Sequence, residues 1–99
     1  MSNSIPVAET FPPGDFIREE LEARGWSQRD LAEILGRPLQ VVNAIINAKT
    51  SITTQTAIEL AAAFGTSAEV WINLQLANDF SRAAPVDPAI AERARRHAS

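Results

Sequence analysis

Residues 27–50 read SQRDLAEILGRPLQVVNAIINAKT, and this stretch decides the fold because it predicts two short helices joined by a tight turn. Ser27 is a suitable N-cap, and Asp30 three residues later can complete a capping box in place of the usual Glu or Gln. Gly36 predicts the end of the first helix, and Pro38 suits the first turn of the second, where its missing N–H costs nothing. This is the layout of a helix-turn-helix, whose second helix lies in the major groove of DNA.

Apolar residues recur at helical spacing in both helices, so each is expected to bury one face. Those of the first helix are Leu31, Ile34 and Leu35, and those of the second are Val42, Ile45 and Ile46. The same pattern also occurs in helical domains that do not bind nucleic acid. The residues on the exposed face of the second helix must therefore distinguish a DNA-binding motif from an ordinary pair of helices.

The face of the second helix opposite its apolar stripe covers an arc of roughly 140°. It holds Leu39, Gln40, Asn43, Ala44 and Asn47. Gln and Asn can pair with adenine through two hydrogen bonds, and Ala or Leu can pack on a thymine methyl group. A merely solvated face would more often carry Glu and Lys, so this face is expected to read bases.

The composition fits one small all-α domain. The chain has 99 residues, 45% of them hydrophobic, and no stretch alternates with the period of a strand. It has no Cys, which fits a reducing cytoplasm, and no signal peptide pattern. No apolar run approaches about 18 residues, so we expect a cytoplasmic protein with no membrane partner.

The formal net charge is −3, but the distribution of charge matters more than the total. Residues 24–50 carry four basic and two acidic side chains, a local charge of +2. The basic residues are Arg24, Arg29, Arg37 and Lys49, and the acidic ones are Asp30 and Glu33. This excess supports phosphate contacts, with Arg37 as one candidate, and predicts modest, salt-sensitive binding per subunit.

We divide the chain into a flexible N-terminal arm (1–12), a helix-turn-helix domain (13–84, with its motif at about 27–48) and a C-terminal tail (85–99). The arm has two prolines and no periodicity, so it is expected to be a disordered tail or a segment that orders on a partner. Five helices are expected in the domain, and Asp87 is expected to cap a short helix in the tail.

A first helix is expected over residues 13–25, before Trp26, which we interpret as a core residue or a hydrophobic staple. The fourth and fifth helices are expected over residues 55–64 and from 68 to about 83. Their expected caps are Thr53 or Thr54 for the fourth helix and Ser67 for the fifth.

The expected fifth helix is apolar on two sides. Its core line is predicted to be Val70, Leu74 and Ala77, with Trp71 flanking. The second stripe, Ile72, Leu76 and Phe80, lies on another side of the helix. We expect this second stripe to be a dimer interface, because a weakly basic motif needs a second half-site about 34 Å from the first. The alternative is that the tail folds back over it.

Three segments carry a family resemblance when they are taken together and in order. The chain reads PPGDFIREELEARGWSQRDLAEILGRP over residues 12–38 and INAKTSITTQTAIELAAAFGTSAEVWINLQLANDF over residues 46–80. The most specific pieces are the Pro-Gly before REELEARG, the IT-x-x-TAIELA segment and the SAEVWINLQ segment. These resemble the plasmid-maintenance antidote proteins, which are HigA-type antitoxins of the Xre-like helix-turn-helix superfamily with a lambda-repressor-like fold.

The resemblance implies a bacterial antitoxin that blocks a small basic RNA-cleaving toxin of the HigB/RelE type. It also implies a homodimer that binds a palindromic operator and represses its own operon. By position, Gln28 matches a phosphate contact and Asn47 and Lys49 match backbone contacts. The positions that match base contacts are Leu39, Gln40, Asn43 and Ala44.

Two features depart from the family pattern. The usual Asn-Gly-Lys after the recognition helix is here Asn47-Ala48-Lys49, so a left-handed residue at that point would carry a Cβ. The tail, PVDPAIAERARRHA, resembles the linker to a metallopeptidase-like domain in longer relatives, so the chain is expected to be a short version or a fragment.

The chain carries no residue pattern typical of catalysis. Its single His is His97, and it has no HExxH, glycine-rich phosphate loop or Cys nucleophile. We therefore expect no enzyme activity, no metal and no cofactor. Three functions stay open: a DNA-binding antitoxin, which we favour, a phage-type or housekeeping repressor without a toxin, and a protein-binding module that has lost DNA binding. An adjacent gene that encodes a small basic toxin would distinguish the antitoxin from the repressor without a toxin.

An acidic surface is expected on the first helix, beside the arm. The acidic residues on the helix are Glu19, Glu20 and Glu22, and the neighbouring apolar residues of the arm are Ile5, Val7 and Phe11. We expect a basic toxin to bind there, because charge complementarity speeds association and the arm adds apolar contacts.

Overall fold

The computed structural model describes residues 11–98, and all its elements are helices. In chain order they are α1 (Pro13–Arg24), α2 (Gln28–Leu35), α3 (Leu39–Ile46), α4 (Thr54–Phe64), α5 (Ala68–Arg82) and α6 (Ala89–His97). The expected all-α fold is confirmed, as five helices followed by a helix in the tail. Most of the arm (residues 1–10) lies outside the described residues.

Local side-chain signals set the helix ends. The Ser27 hydroxyl accepts a hydrogen bond from the Asp30 N–H, and the Asp30 carboxylate accepts one from the Ser27 N–H, which completes the predicted capping box. Thr53 and Ser67 cap α4 and α5 through their hydroxyl oxygens, which accept hydrogen bonds from the Thr56 and Val70 N–H groups without a reciprocal side-chain bond to the cap N–H. Pro38 is the N-cap of α3 and lies outside its first turn, one residue earlier than predicted. Its ψ of 149° is extended, so it turns the chain between the two helices of the motif.

The core lies where α1, α3, α4 and α5 meet, with α2 closing it. Its largest fully buried side chains are Trp71, Ile17, Leu31, Ile46, Leu60 and Val42. Each such apolar side chain contributes about 1.5–3 kcal/mol relative to leaving it in water. The predicted apolar face of α3 is confirmed, because all three of its predicted residues are buried. The α2 pattern is correct only in part, since Ile34 is 48% exposed.

Trp26 is part of the core edge, as predicted. Its ring stacks on Phe64 at 6.0 Å, and Phe64 in turn lies 5.7 Å from Trp71. Arg24 lies 5.5 Å from the centroid of the Trp26 ring and donates a hydrogen bond to the Phe64 carbonyl oxygen at 2.8 Å. This aromatic group joins the end of α1 to α4 and α5.

Two of the three residues in the predicted core line of α5 are wrong, whereas Leu74 packs against the core as predicted. Val70 is 44% exposed and Ala77 is exposed, whereas Trp71 and Asn78 are buried. The error arises because Asn78 is polar, so the hydrophobic pattern excluded a residue that packing encloses.

The second stripe of α5 is not covered by the tail. Leu76 is 49% exposed and Phe80 is 73% exposed, whereas Ile72 is half-buried against the core. Helix α6 buries none of its residues. The alternative in which the tail folds over this stripe is therefore wrong.

Candidate DNA-binding surface

Helix α3 presents a distinct outer face because three of its eight residues anchor the helix in the core. Of the four residues predicted to face bases, Gln40 is exposed and Asn43 and Ala44 are half-buried. Leu39 is half-buried and packs against the core, so only part of it faces outward. The side chains of Gln40 and Asn43 form no hydrogen bond within residues 11–98, so their donors and acceptors are uncommitted. That arrangement suits direct readout of base edges.

The residues predicted to contact phosphates have different surroundings. Gln28 begins α2 and is half-buried, while Lys49 follows α3 and is exposed. The Asn47 side-chain oxygen accepts a hydrogen bond from Arg18 at 2.8 Å. Arg37 donates to the Glu59 carboxylate at 2.8 Å.

The pair of Arg37 and Glu59 changes the titration of both groups. Its hydrogen bond raises the pKa of Arg37 above its usual value and, with a second hydrogen bond from Gln55, holds the pKa of Glu59 below its usual value. Both groups are therefore charged at neutral pH. The charge of Arg37 is partly neutralised, so it contributes less free positive charge than the sequence count suggests.

Arg18 is a candidate that the sequence analysis missed. It lies on α1, donates to Asp15 at 3.0 Å and to the side chain of Asn47 at 2.8 Å, and is exposed. This places a guanidinium beside the last residues of the recognition helix. Arg18 and Asn47 are 29 positions apart, so no local pattern could have predicted their contact.

The chain leaves α3 through a left-handed residue. Ala48 has φ 60° and is the only residue other than glycine with positive φ in residues 11–98. Its N–H donates to the Ile45 carbonyl oxygen at 3.2 Å, and the Lys49 N–H donates to Ala44 at 2.8 Å. These two bonds form a Schellman motif, which normally has glycine at the left-handed position. The expectation of a left-handed residue that carries a Cβ is thus confirmed.

The start of α1 touches the end of α3. Gly14 is buried, and a Cβ at that position would overlap the carbonyl oxygen of Ile46. Glycine is needed here because only hydrogen fits between the two backbones. The contact fixes the C-terminal end of the recognition helix, from which Asn47 and Lys49 extend.

Residues 11–98 hold no group of three or more His, Cys, Asp or Glu side chains able to bind a metal ion. Within the same range, no helix is both long and apolar enough to cross a bilayer.

Comparisons with known proteins identify the class of fold. Residues 17–71, more than half of the chain, match the Helix-turn-helix family, HTH_3. The chain therefore belongs to this Xre-like family, and its structural relatives place it among the HigA-type antidote proteins.

Three relatives illustrate the similarity. Virulence-associated protein I of Dichelobacter nodosus is 38% identical over 85 residues, which are 81% of this chain and 79% of that protein. The addiction module antidote protein of a HigA family from Coxiella burnetii is 36% identical, with a TM-score of 0.70 over 88% of this chain and 89% of that one. The Pseudomonas aeruginosa antitoxin HigA, solved with the higBA promoter, is 28% identical, with a TM-score of 0.69 over 91% and 92%.

Proposed function

We propose that this chain is an antitoxin that binds operator DNA through α3, represses its own operon and neutralises a small basic RNA-cleaving toxin. The observation that carries the DNA-binding part is the outer face of α3, where Gln40 and Asn43 keep uncommitted hydrogen-bonding groups. The Pseudomonas aeruginosa antitoxin, which was solved with its promoter, supports the same role for this chain.

The test is binding of the chain to a labelled fragment of its own promoter, followed by fluorescence anisotropy. Gln40→Ala and Asn43→Ala should each raise the dissociation constant by about 5- to 150-fold, because a good two-hydrogen-bond contact to a base contributes about 1–3 kcal/mol. Glu22→Gln changes an exposed side chain on α1, away from both α3 and the apolar face of α5, and is the control, with unchanged binding expected. Unchanged binding by both α3 variants would exclude base reading by this helix.

A protein-binding module that has lost DNA binding is the second candidate, and one observation favours it. Arg24 and Arg37, two of the four basic residues counted near the motif, form ion pairs with Glu20 and Glu59. Arg18 partly compensates because it lies beside the recognition helix. Failure of the wild-type chain to bind its promoter even at low salt would favour this second function over repression.

The toxin is proposed to bind at the start of α1. Phe11 is 55% exposed there and lines a groove of about 500 Å³ with Phe16 and Glu19. Glu22 is also exposed, whereas Glu20 is paired with Arg24. Asp15 and Arg18 also line this groove and form an ion pair with each other, so Glu19 is its carboxylate without an ion pair within residues 11–98. The groove would hold a basic protein mainly by apolar contact, and Glu19 with the exposed Glu22 would attract it by charge. Ile5 and Val7, also proposed for this contact, lie outside the described residues.

Copurification with the product of the adjacent gene tests for a toxin and separates an antitoxin from a repressor without one. A chain lacking residues 1–11 should then neutralise the toxin less strongly, and Glu19→Lys should slow association with it. Glu69→Lys, which changes an exposed carboxylate on α5, is the matched charge control. Full neutralisation without residues 1–11 would remove the arm from the toxin contact.

The dimer is proposed to form through the outer face of α5, with Leu76 and Phe80 as its centre. Their exposure supports this, because large apolar side chains that are grouped on a surface mark interaction sites. Ile72 would contribute only from the edge. Leu76→Glu or Phe80→Glu should yield a folded monomer that binds its operator poorly. A double variant that still sediments as a dimer would refute the interface.

A further inference from the structure

Arg18 and Asn47 form a contact between α1 and the end of α3 that offers hydrogen-bond donors to a ligand. The guanidinium of Arg18 donates to the Asn47 side-chain oxygen at 2.8 Å, so the amide nitrogen of Asn47 keeps both N–H groups for another acceptor. Within residues 11–98 this nitrogen forms no hydrogen bond. Arg18 also donates to Asp15 at 3.0 Å, and its remaining N–H groups are unused.

This donor pair has a fixed position at the end of the recognition helix. Asn47 follows α3 directly and comes four positions after Asn43, so the two amides lie on the same side of the helix. The backbones of α1 and α3 touch at Gly14 and Ile46, which holds α1 against this end of α3. Both Arg18 and Asn47 are exposed, so a ligand that approaches the outer face of α3 can reach them.

A phosphate group is the ligand that fits these donors. It carries negative charge and acceptor oxygens, so it matches a guanidinium and an amide that both present N–H groups. Lys49 is exposed two residues further on and forms no ion pair within the described part of the chain, so it adds positive charge at the same edge. Asp15 opposes this charge, but its ion pair with Arg18 is exposed and is therefore weakened by solvent.

We propose that Arg18 and Asn47 together bind one phosphate of the operator backbone, so that α1 contributes to DNA binding alongside α3. Arg18 acts in two ways, because it supplies positive charge and it orients the Asn47 amide so that the N–H groups face the phosphate. The proposal rests on the DNA binding through α3 put forward above, and it adds a residue from outside the helix-turn-helix motif. Asp15 limits the affinity of this contact, because its carboxylate partly neutralises Arg18.

Operator duplexes in which one phosphate at a time is replaced by a neutral methylphosphonate locate the contact, with dissociation constants measured by fluorescence anisotropy on the full chain. One such replacement in each half-site should weaken wild-type binding about tenfold and weaken binding by Arg18→Ala less than about twofold. On the unmodified operator, Arg18→Ala should bind about tenfold more weakly, with the salt slope reduced by about one. Arg96→Ala is the matched control, because Arg96 is also exposed and paired with a carboxylate, that of Glu92 at 3.8 Å, and it should behave as the wild type.

Two further variants separate this contact from a structural role of Arg18. Asp15→Asn should bind the operator more tightly than the wild type, by about threefold, because it frees the charge of Arg18. Asn47→Ala should cost less affinity in the Arg18→Ala chain than in the wild type, because the amide is then no longer oriented. If Arg18→Ala keeps the wild-type salt slope and the wild-type response to every methylphosphonate, the phosphate contact is overturned while base reading by α3 is left in place. A wild-type chain that does not bind the operator would instead overturn DNA binding itself, and this contact with it.

Discussion

Replacement of Ala48 by glycine should stabilise the fold. At φ 60° the Cβ of an L residue crowds the carbonyl oxygen that follows, which costs about 1–2 kcal/mol. Glycine removes that cost but gives the unfolded chain more freedom, which offsets about 0.4–1 kcal/mol. The difference leaves Ala48→Gly more stable by about 0.8 kcal/mol, which for a domain of this size raises the melting temperature by about 3–6 °C.

Thermal denaturation followed by circular dichroism measures this change. The matched control is Ala62→Gly, because Ala62 is exposed within α4 and has ordinary helical geometry. Glycine in place of Ala62 should destabilise the chain by about 1 kcal/mol, because glycine is unfavourable inside a helix. If the melting temperature of Ala48→Gly is equal to or below that of the wild type, while that of Ala62→Gly falls as expected, the reasoning from left-handed strain is wrong.

Three further perturbations test other contacts. Gly14→Ala should lower the free energy of unfolding, measured by urea denaturation, by about 1–3 kcal/mol, because the new methyl group must displace the end of α3. An unfolding midpoint equal to that of the wild type would show that the backbones of α1 and α3 can separate without cost. The Glu59 carboxyl has a lower pKa in the folded chain than in the unfolded chain. Its contribution to the free energy of unfolding is therefore complete at neutral pH and is lost as the pH falls through the folded-state pKa. Glu59→Gln should therefore flatten the loss of stability below about pH 5, and an unchanged profile would contradict this. Lys49→Ala should weaken binding to all DNA sequences about equally and reduce the salt slope by about one, whereas a loss confined to the operator would assign Lys49 to base contact.

The helix boundaries were predictable because their causes are local. Ser27, Thr53 and Ser67 lie within three residues of the backbone groups that they cap, so the sequence contains the whole interaction. Gly36 ends α2 in a left-handed conformation, as its position indicated, and Gly65 ends α4 in the same conformation. The left-handed backbone at Ala48 was expected for a different reason, because the resembling family has glycine at that position.

The core side of α5 was not predictable from hydrophobicity. Asn78 is 7% exposed and Val70 is 44% exposed, so packing reverses the order that polarity suggests. The buried side of a helix is set by where its neighbours lie, and that geometry is not contained in the α5 sequence. Val70 and Ala77 were therefore assigned to the core side of α5, although both are exposed.

The charged surroundings of the recognition helix depend on contacts between distant residues. Arg37 reaches Glu59 across 22 positions, and Arg18 reaches Asn47 across 29. A count of charges over residues 24–50 includes Arg37 as a free cation and omits Arg18, which lies outside that range. The sequence could therefore predict which residues of α3 are buried, but not the charge near the helix.

Direct reading of bases by α3 is best tested by a scan of the operator. Each base pair is substituted in turn, and the dissociation constant is measured for the wild-type chain, Gln40→Ala and Asn43→Ala at one fixed salt concentration. The wild type should lose about 1–3 kcal/mol at a few positions, and each variant should lose its preference at one of them while keeping it at the others. Variants that keep the wild-type preference at every base pair would contradict base reading by Gln40 and Asn43.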